Sequence, residues 1–381
     1  MGRAERALLG LAGHARDLAG VARFLLRSEA IASSRIEGVA PSVHQVALAE
    51  LGALERVPEV SVQAQLVANN MTVLHQARTA LVEAPKLRTE HLLELHAALL
   101  PDQRGHHGIR EVQNWIGGSS HHPLEAEFIP PAPEQVPALL EDLIGYLNGA
   151  AHSPIIQAGL AHAQFETIHP FTDGNGRVGR ALIHTVLTRR GLTTQAVLPV
   201  SLVLSTLRDS YVGGLTAYRH SDEIGSPGFH AAHADWLRVF ADAVLIATEQ
   251  AGRLAAELAA LSADWEDQLG HARVQQGRTR SVRSDSATVL ILRDLPATPV
   301  LTSATVQRIH GVSHVAADRA LAELATAGIV HQSLRRGIRY FQAPDVLDLV
   351  TMAERRLAST QFDTRASRPV RPVPAVPRHQ A

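Results

Sequence analysis

The sequence predicts a mainly α-helical protein with a small β-hairpin in its core and a helix-plus-hairpin module near its C-terminus. Three observations predict it. Apolar residues recur at three- and four-residue steps through most of the first 258 positions. The extended-looking stretch in that region, Gly108 to Phe128, carries Val112, Trp115 and Ile116 before Gly117-Gly118-Ser119-Ser120, with Ala126, Phe128 and Ile129 after it. Past residue 281 the pattern changes to three short helices followed by two strands, the order of a winged helix-turn-helix.

Composition excludes several classes of function. The 381 residues suffice for two or three domains. A net charge of −1 gives no global field for nucleic acid or membrane. Cysteine is absent, which removes disulfides and thiolate metal sites. No long uncharged apolar run and no signal peptide is evident, because Arg3, Glu5, Arg6, Arg16 and Asp17 interrupt the N-terminus, so the default expectation is cytoplasmic. Basic residues are almost all arginine and Ala, Leu and Val dominate, a hint of GC-rich bacterial coding.

Residues 1–86 read as an N-terminal helical region. Arg3 to Leu26 forms one helix by its Leu8, Leu11, Ala15, Leu18, Ala22 and Leu25 spacing. Ser33 and Glu37 then lie four apart on one helical face, and Gly38 can close that helix in a left-handed cap. Taken alone, this is a helix end with a solvated glutamate. Further helices follow at Val43–Leu54 and Ser61–Val82, with Asn69 and Asn70 as polar positions in the second.

Residues 87–245 read as the core. Thr89 is a plausible N-cap for a helix to Leu100. His106-His107 and His121-His122 fall in loops without an acidic partner at ligand spacing, so they read as solvated rather than as a metal site. Pro130, Pro131 and Pro133 end the hairpin, and a helix runs from Glu134 to Leu147. The next helix carries Ile155, Ile156, Leu160, Ala163 and Ile168, with His162 as a structural residue.

Then comes His169-Pro170-Phe171-Thr172-Asp173-Gly174-Asn175-Gly176-Arg177-Val178-Gly179-Arg180. Pro170 favours extended backbone at His169 and a break in the helix. The glycines allow backbone N–H groups to converge as an anion nest, and the following helix adds its unpaired N-terminal donors. Arg177 and Arg180, three apart on that helix, suit phosphate oxygens. Asp173 suits Mg²⁺, which takes one or two carboxylates plus phosphate and water oxygens. A neutral imidazole at His169 can accept a hydroxyl proton. The string is not a P-loop, since Lys86 is the only lysine. Ser205–Tyr218 and Asp235–Leu258 continue the helices, with Tyr211 read as core.

Residues 246–280 read as a helical linker, 281–345 as the winged-helix module and 346–381 as a tail, disordered after Ala358. In the module Thr302 and Ser313 cap helices, and Arg335, Arg336 and Arg339 lie in the wing. Residues 271–340 hold ten arginines against four acids, a local +6. His314, Asp318, Arg319 and Glu323 give the third helix a mixed face, so DNA, protein and a homodimer contact all stay open as its partners.

The string from His169 to Arg180 resembles the signature of Fic-domain proteins, His-Pro-Phe-x-[Asp/Glu]-Gly-Asn-Gly-Arg-x-x-Arg, at every fixed position. The resemblance implies a helical core with a hairpin flap that registers a target segment, and transfer of AMP from ATP to a Ser, Thr or Tyr hydroxyl of a target protein. It implies His169 as base, Asp173 on Mg²⁺, and Gly174, Asn175, Gly176, Arg177 and Arg180 around the phosphates. Gly176 resembles the AMP-transferring group rather than the Doc-type kinases, which carry lysine there. Ser33-x-x-x-Glu37-Gly38 is similar to the family's inhibitory motif, which implies a brake that acts by pairing Glu37 with Arg177. Removal of AMP from the target is a variant of the same site. From another class stands a DNA-binding regulator in which the core senses nucleotide.

Overall fold

The computed structural model describes residues 2–12, 15–52, 55, 57, 60–119, 122–193, 196–278 and 283–360. The N-terminal region is α1 (Gly2–Ala12), α2 (Ala15–Ile36), α3 (Val43–Gly52), α4 (Val62–Arg78) and α5 (Ala80–Glu83). The core adds α6 (Thr89–Leu99), α7 (Val136–Asn148), α8 (Pro154–Ile168), α9 (Asn175–Arg189), α10 (Val200–Thr206) and α11 (Arg208–Tyr218). One long helix, α12 (Pro227–Gln275), leads to α13 (Ala287–Asp294), β1 (Val300–Leu301), α14 (Ser303–His310), α15 (His314–Thr326), β2 (His331–Arg335), β3 (Ile338–Gln342) and α16 (Pro344–Thr360). The protein is mainly helical, with one small sheet among the described residues.

Helices α8 and α9 form the centre, and α9 is buried from Asn175 to Leu187. Helix α2 packs on α4, α9, α10 and α12, so its C-terminal end is delivered to the start of α9. Polar clamps hold it there. Asn70, fully buried in α4, donates to Ala30 O and Ser34 Oγ of α2. The buried Glu29 carboxylate meets His184 Nε2 at 2.9 Å and accepts from both Ser201 N and Ser201 Oγ. A carboxylate so enclosed is tolerable because its lone pairs are used.

Several expectations are corrected. The first predicted helix covers α1 and the start of α2, which runs past Leu26 to Ile36; residues 13 and 14, between the two, lie outside the described residues. Arg88, not Thr89, is the N-cap of α6, and its backbone N–H donates to His91 Nδ1 at 3.0 Å. Thr79 breaks the helix predicted to reach Val82. Helix α7 starts at Val136, after a short 3₁₀ turn at Pro133–Gln135. The region expected as a helical linker, residues 246–280, is helical to Gln275 as the second half of α12, which runs for 49 residues, about 74 Å at 1.5 Å per residue, with Trp236 and Phe240 buried in its first half and Trp265 and Leu269 in its second. Gly159 lets α12 approach, since a Cβ there would fall 2.8 Å from the Phe240 ring. The tail is helical as far as Thr360, with Val346, Val350, Ala353 and Leu357 buried. Residues 361–381, where the disordered tail was expected, lie outside the described residues.

The hairpin is also reduced. One bridge joins Ile116 to Phe128, and the connection carries a 3₁₀ turn at Pro123–Glu125 instead of a strand ladder. Gly117 and Gly118 both take positive φ, and a Cβ on Gly118 would lie 2.5 Å from Glu125 O, so the turn requires glycine there; beyond the bridge, Pro130 and Pro131 carry no N–H to extend the pairing. His121 lies outside the described residues. In the C-terminal module Thr302 and Ser313 cap α14 and α15 as expected. The sheet gains β1, giving the antiparallel order β1-β3-β2.

Candidate active site

His169 ends α8 in the left-handed conformation, φ 51 and ψ 60, rather than in the extended one its proline neighbour favours. Its N–H still bonds to Phe165 O at 2.9 Å. Positive φ at a residue with a Cβ is strained and needs enforcement. Phe171 supplies part of it: fully buried, it stacks on the His96 ring at 3.9 Å. His96 Nε2 in turn meets Asp173 O at 2.9 Å.

Asn175 uses its side chain within the loop and leaves its backbone N–H at the start of α9. Its side chain closes a ring with Phe171, Oδ1 accepting from Phe171 N and Nδ2 donating to Phe171 O, both at 2.8 Å. The amide therefore shapes the loop rather than pointing at a ligand. Gly174, at φ 83, turns the chain into α9. The first-turn N–H groups of Asn175, Gly176 and Arg177 have no intrahelical acceptor, and together with the helix dipole they make an anion nest.

The two arginines divide their labour. Arg177 is 3% exposed and donates from Nη2 to both oxygens of Asp173 at 3.3 Å. Its Nε and Nη1 have no hydrogen-bond partner among the described residues. Arg180, 1% exposed, donates from Nε to Ser33 Oγ at 3.0 Å, and from Nη2 to Ser33 O at 2.7 Å and Glu37 Oε1 at 2.8 Å. Glu37 thus takes Arg180, and the expected pairing with Arg177 is corrected. Gly38, at φ 79, caps the segment as expected. Gly176 makes room for it: a Cβ there would lie 2.0 Å from Glu37 Oε1.

Burial pushes the His169 imidazole down to about 4, with Arg219 and Arg110 acting in the same direction and Glu37 and the Glu166 backbone opposing them. His169 is therefore neutral at pH 7 and able to accept a proton. His162 is structural: burial lowers it to about 3, and its Nε2 meets Tyr211 OH at 2.9 Å. Tyr211 is core, as expected.

Four residues escaped the sequence reading. Glu166 is buried, and burial lifts its carboxyl to about 7 despite Arg180, with Glu37 adding to the rise. Arg219 donates to Glu166 O at 3.2 Å and lies 4.3 Å over the Phe128 ring. Arg110 and Asn114 both reach the carbonyl of His169. Glu166 three residues before His169 could have been noticed; the others bond mainly to backbone, which leaves no pattern in sequence.

Asp173 keeps its side chain 50% exposed beside the nest, a donor that fits Mg²⁺ shared with phosphate oxygens. No cluster of three or more acidic or histidine ligands occurs among the described residues. His106 hydrogen-bonds Thr172 and His107 bonds Leu100 O, so both support the loop. No helix among the described residues is long and apolar enough to cross a membrane.

Residues 86–187 match the model of the Fic/DOC family. A protein of Aquifex aeolicus named as a probable protein adenylyltransferase is 36% identical over 91 residues, 24% of this chain and 28% of its own. Protein adenylyltransferase fic-1 of Caenorhabditis elegans is 33% identical over 136 residues, 34% of this chain and 24% of its own. The match thus spans about a quarter of these relatives' length. Among solved structures, a Fic family protein from Desulfovibrio desulfuricans G20 superposes with a TM-score of 0.50 at 19% identity, covering 88% of this chain and 95% of that one. A Fic domain containing signaling protein from Bacteroides thetaiotaomicron gives 0.52 at 18% identity, covering 66% and 97%. These likenesses speak to the fold alone; it is the sequence match that marks residues 86–187 as a Fic/DOC family domain within this chain.

Proposed function

We propose that the chain is a protein adenylyltransferase, a nucleotidyltransferase that moves AMP from ATP to a Ser, Thr or Tyr hydroxyl of a target protein, and that Glu37 holds it inactive. The observation that carries the reading is Arg177: a buried guanidinium with two donors unpartnered among the described residues, in the first turn of α9, after a loop that opens on a neutral histidine. Such a cation is costly unless an anion arrives.

In the reaction the target oxygen attacks the α-phosphorus, His169 takes the hydroxyl proton, and the α–β bond breaks to release pyrophosphate. Arg177 and the N-terminal amides of α9 stabilise charge on the phosphates. Mg²⁺, held by Asp173, would neutralise phosphate charge when bound. Arg180 is the second phosphate ligand, and Glu37 with Ser33 occupies it at rest. The relatives' printed names support the transfer of adenylate.

The test uses α-labelled ATP and a cell extract. Glu37→Gly should raise label on protein, and His169→Ala should abolish it. Loss of AMP from a pre-labelled target in the wild type but not in Glu37→Gly would instead assign the removal reaction. A second reading, DNA binding by the C-terminal module, is favoured by its winged-helix element order and the exposed Arg319 and Arg335. Against it, Arg339 pairs with Asp318, and Arg273 and Arg278 pair with Glu323, so three of the module's arginines are engaged within the protein. Salt-dependent duplex binding that survives His169→Ala would support it.

A further inference from the structure

The flap and the catalytic loop meet at one side chain that belongs to neither the signature nor the Ile116–Phe128 bridge. Arg110 is 3% exposed. Its Nε donates to His169 O at 2.9 Å. Nη1 donates to Val112 O at 3.1 Å, and Nη2 to Pro131 O at 2.5 Å and Ile168 O at 3.5 Å. Its backbone N–H donates to Pro170 O at 2.9 Å. The acceptors come from the chain entering the flap, the chain leaving it, and the junction of α8 with the signature loop.

A guanidinium has a rigid fork of donors, and here the fork is matched by carbonyls whose positions it fixes. Burial without a bonded carboxylate is tolerable only while those carbonyls stay in place. The left-handed backbone of His169 needs that kind of enforcement, since a strained residue persists only where its surroundings over-determine it. Asn114, on the flap's entering chain, adds bonds to Phe171 O at 3.0 Å and His169 O at 3.4 Å. From the other side, Arg219 stacks on Phe128 at the flap bridge while donating to Glu166 O, one turn before His169.

We infer that Arg110 is a positioning residue that ties both ends of the flap to the backbone of His169, so that flap and base move as one unit. This rests on the transferase reading above, in which a target segment lies along the flap. A hydroxyl presented there must come within hydrogen-bond reach of the imidazole, and a misplacement of about 1 Å costs roughly 100-fold in rate. One side chain that spans flap entry, flap exit and base removes that error. Lysine cannot replace it, because a single ammonium is a point charge without the planar fork.

The experiment compares Arg110→Lys and Asn114→Ala in full-length Glu37→Gly protein. It measures amide hydrogen exchange, ATP affinity by calorimetry, and initial labelling of a cell extract at saturating ATP. Arg110→Lys should speed exchange in residues 111–118 and 126–129 at least 10-fold and slow labelling at least 10-fold. ATP affinity should stay within 2-fold, with α8 and α9 as protected as before. Asn114→Ala should shift flap exchange and labelling the same way by less. Unchanged flap exchange in Arg110→Lys overturns the inference. So does a parallel fall in ATP affinity and in α8 and α9 protection, which would mean general loss of packing. Should the Glu37→Gly parent label nothing, the transferase reading fails, and flap exchange alone still decides whether Arg110 ties flap to base.

Discussion

The Glu37 carboxylate lies 2.8 Å from the Arg180 guanidinium, while Arg177, one helical turn earlier, turns to Asp173. If Glu37 acts as the proposed brake, it covers Arg180 and leaves Arg177, paired only with Asp173 among the described residues, for an anion. An anion could still reach Arg177 in the resting protein, but it would lack its second cationic contact. Inhibition of the proposed form would act on how the nucleotide is seated as much as on whether it binds.

Gly176 should be coupled to Glu37. Alanine raises helix propensity by about 1 kcal/mol, but its Cβ would collide with Glu37 Oε1. Gly176→Ala is thus expected to destabilise the wild type by about 1–3 kcal/mol and Glu37→Gly by at least 1 kcal/mol less. Urea unfolding of the four proteins in the cycle checks this. Additive effects would mean that the carboxylate does not occupy that space.

Arg177 should trade stability for binding. Its buried Nε and Nη1 lack partners, so Arg177→Met is expected to leave stability unchanged or raise it by about 1 kcal/mol. In the Glu37→Gly background the same change should weaken ATP binding at least 10-fold, the loss of a charge-assisted contact worth roughly 1.5–3 kcal/mol. Calorimetric titration and thermal melts give the two numbers. A large loss of stability with ATP affinity intact would contradict the assignment.

Glu166 should write a pH dependence into stability. Its folded pKa is raised to about 7, so between pH 4.5 and 7 the native protein holds a proton that the unfolded chain has released. That contribution is unfavourable and grows as pH rises through this window, to on the order of 3 kcal/mol. Glu166→Gln removes it. The variant's melting temperature relative to wild type should therefore climb from pH 4.5 to about 7 and then level off. Taking the difference cancels the opposite slopes of His169 and His162, whose lowered values make the fold lose stability as pH falls. A difference that is flat across the window would show that Glu166 ionises normally.

How much of this was legible in sequence follows the reach of each interaction. The loop from His169 to Arg180 could be read because its residues act on one another across a few positions, and the caps Thr302 and Ser313 for the same reason. Ser33, Glu37 and Gly38 could be marked by pattern, but not the arginine they take. Arg177 and Arg180 sit on neighbouring faces of α9, and the choice depends on where α2 lands, which Asn70 and Glu29 decide from elsewhere. Arg110 left no trace, since its partners are carbonyls that any residue supplies. The end of α12 was hard to read because its burial thins after Leu258, where only Trp265 and Leu269 are buried.

The most direct test measures transfer of α-labelled AMP to protein at equal concentrations of wild type, Glu37→Gly and Glu37→Gly/His169→Ala. The structure's division of labour predicts low labelling by the wild type, at least 10-fold more by Glu37→Gly, and background labelling by the double variant. Equal labelling by all three would contradict both the role of His169 as base and that of Glu37 as the brake on Arg180.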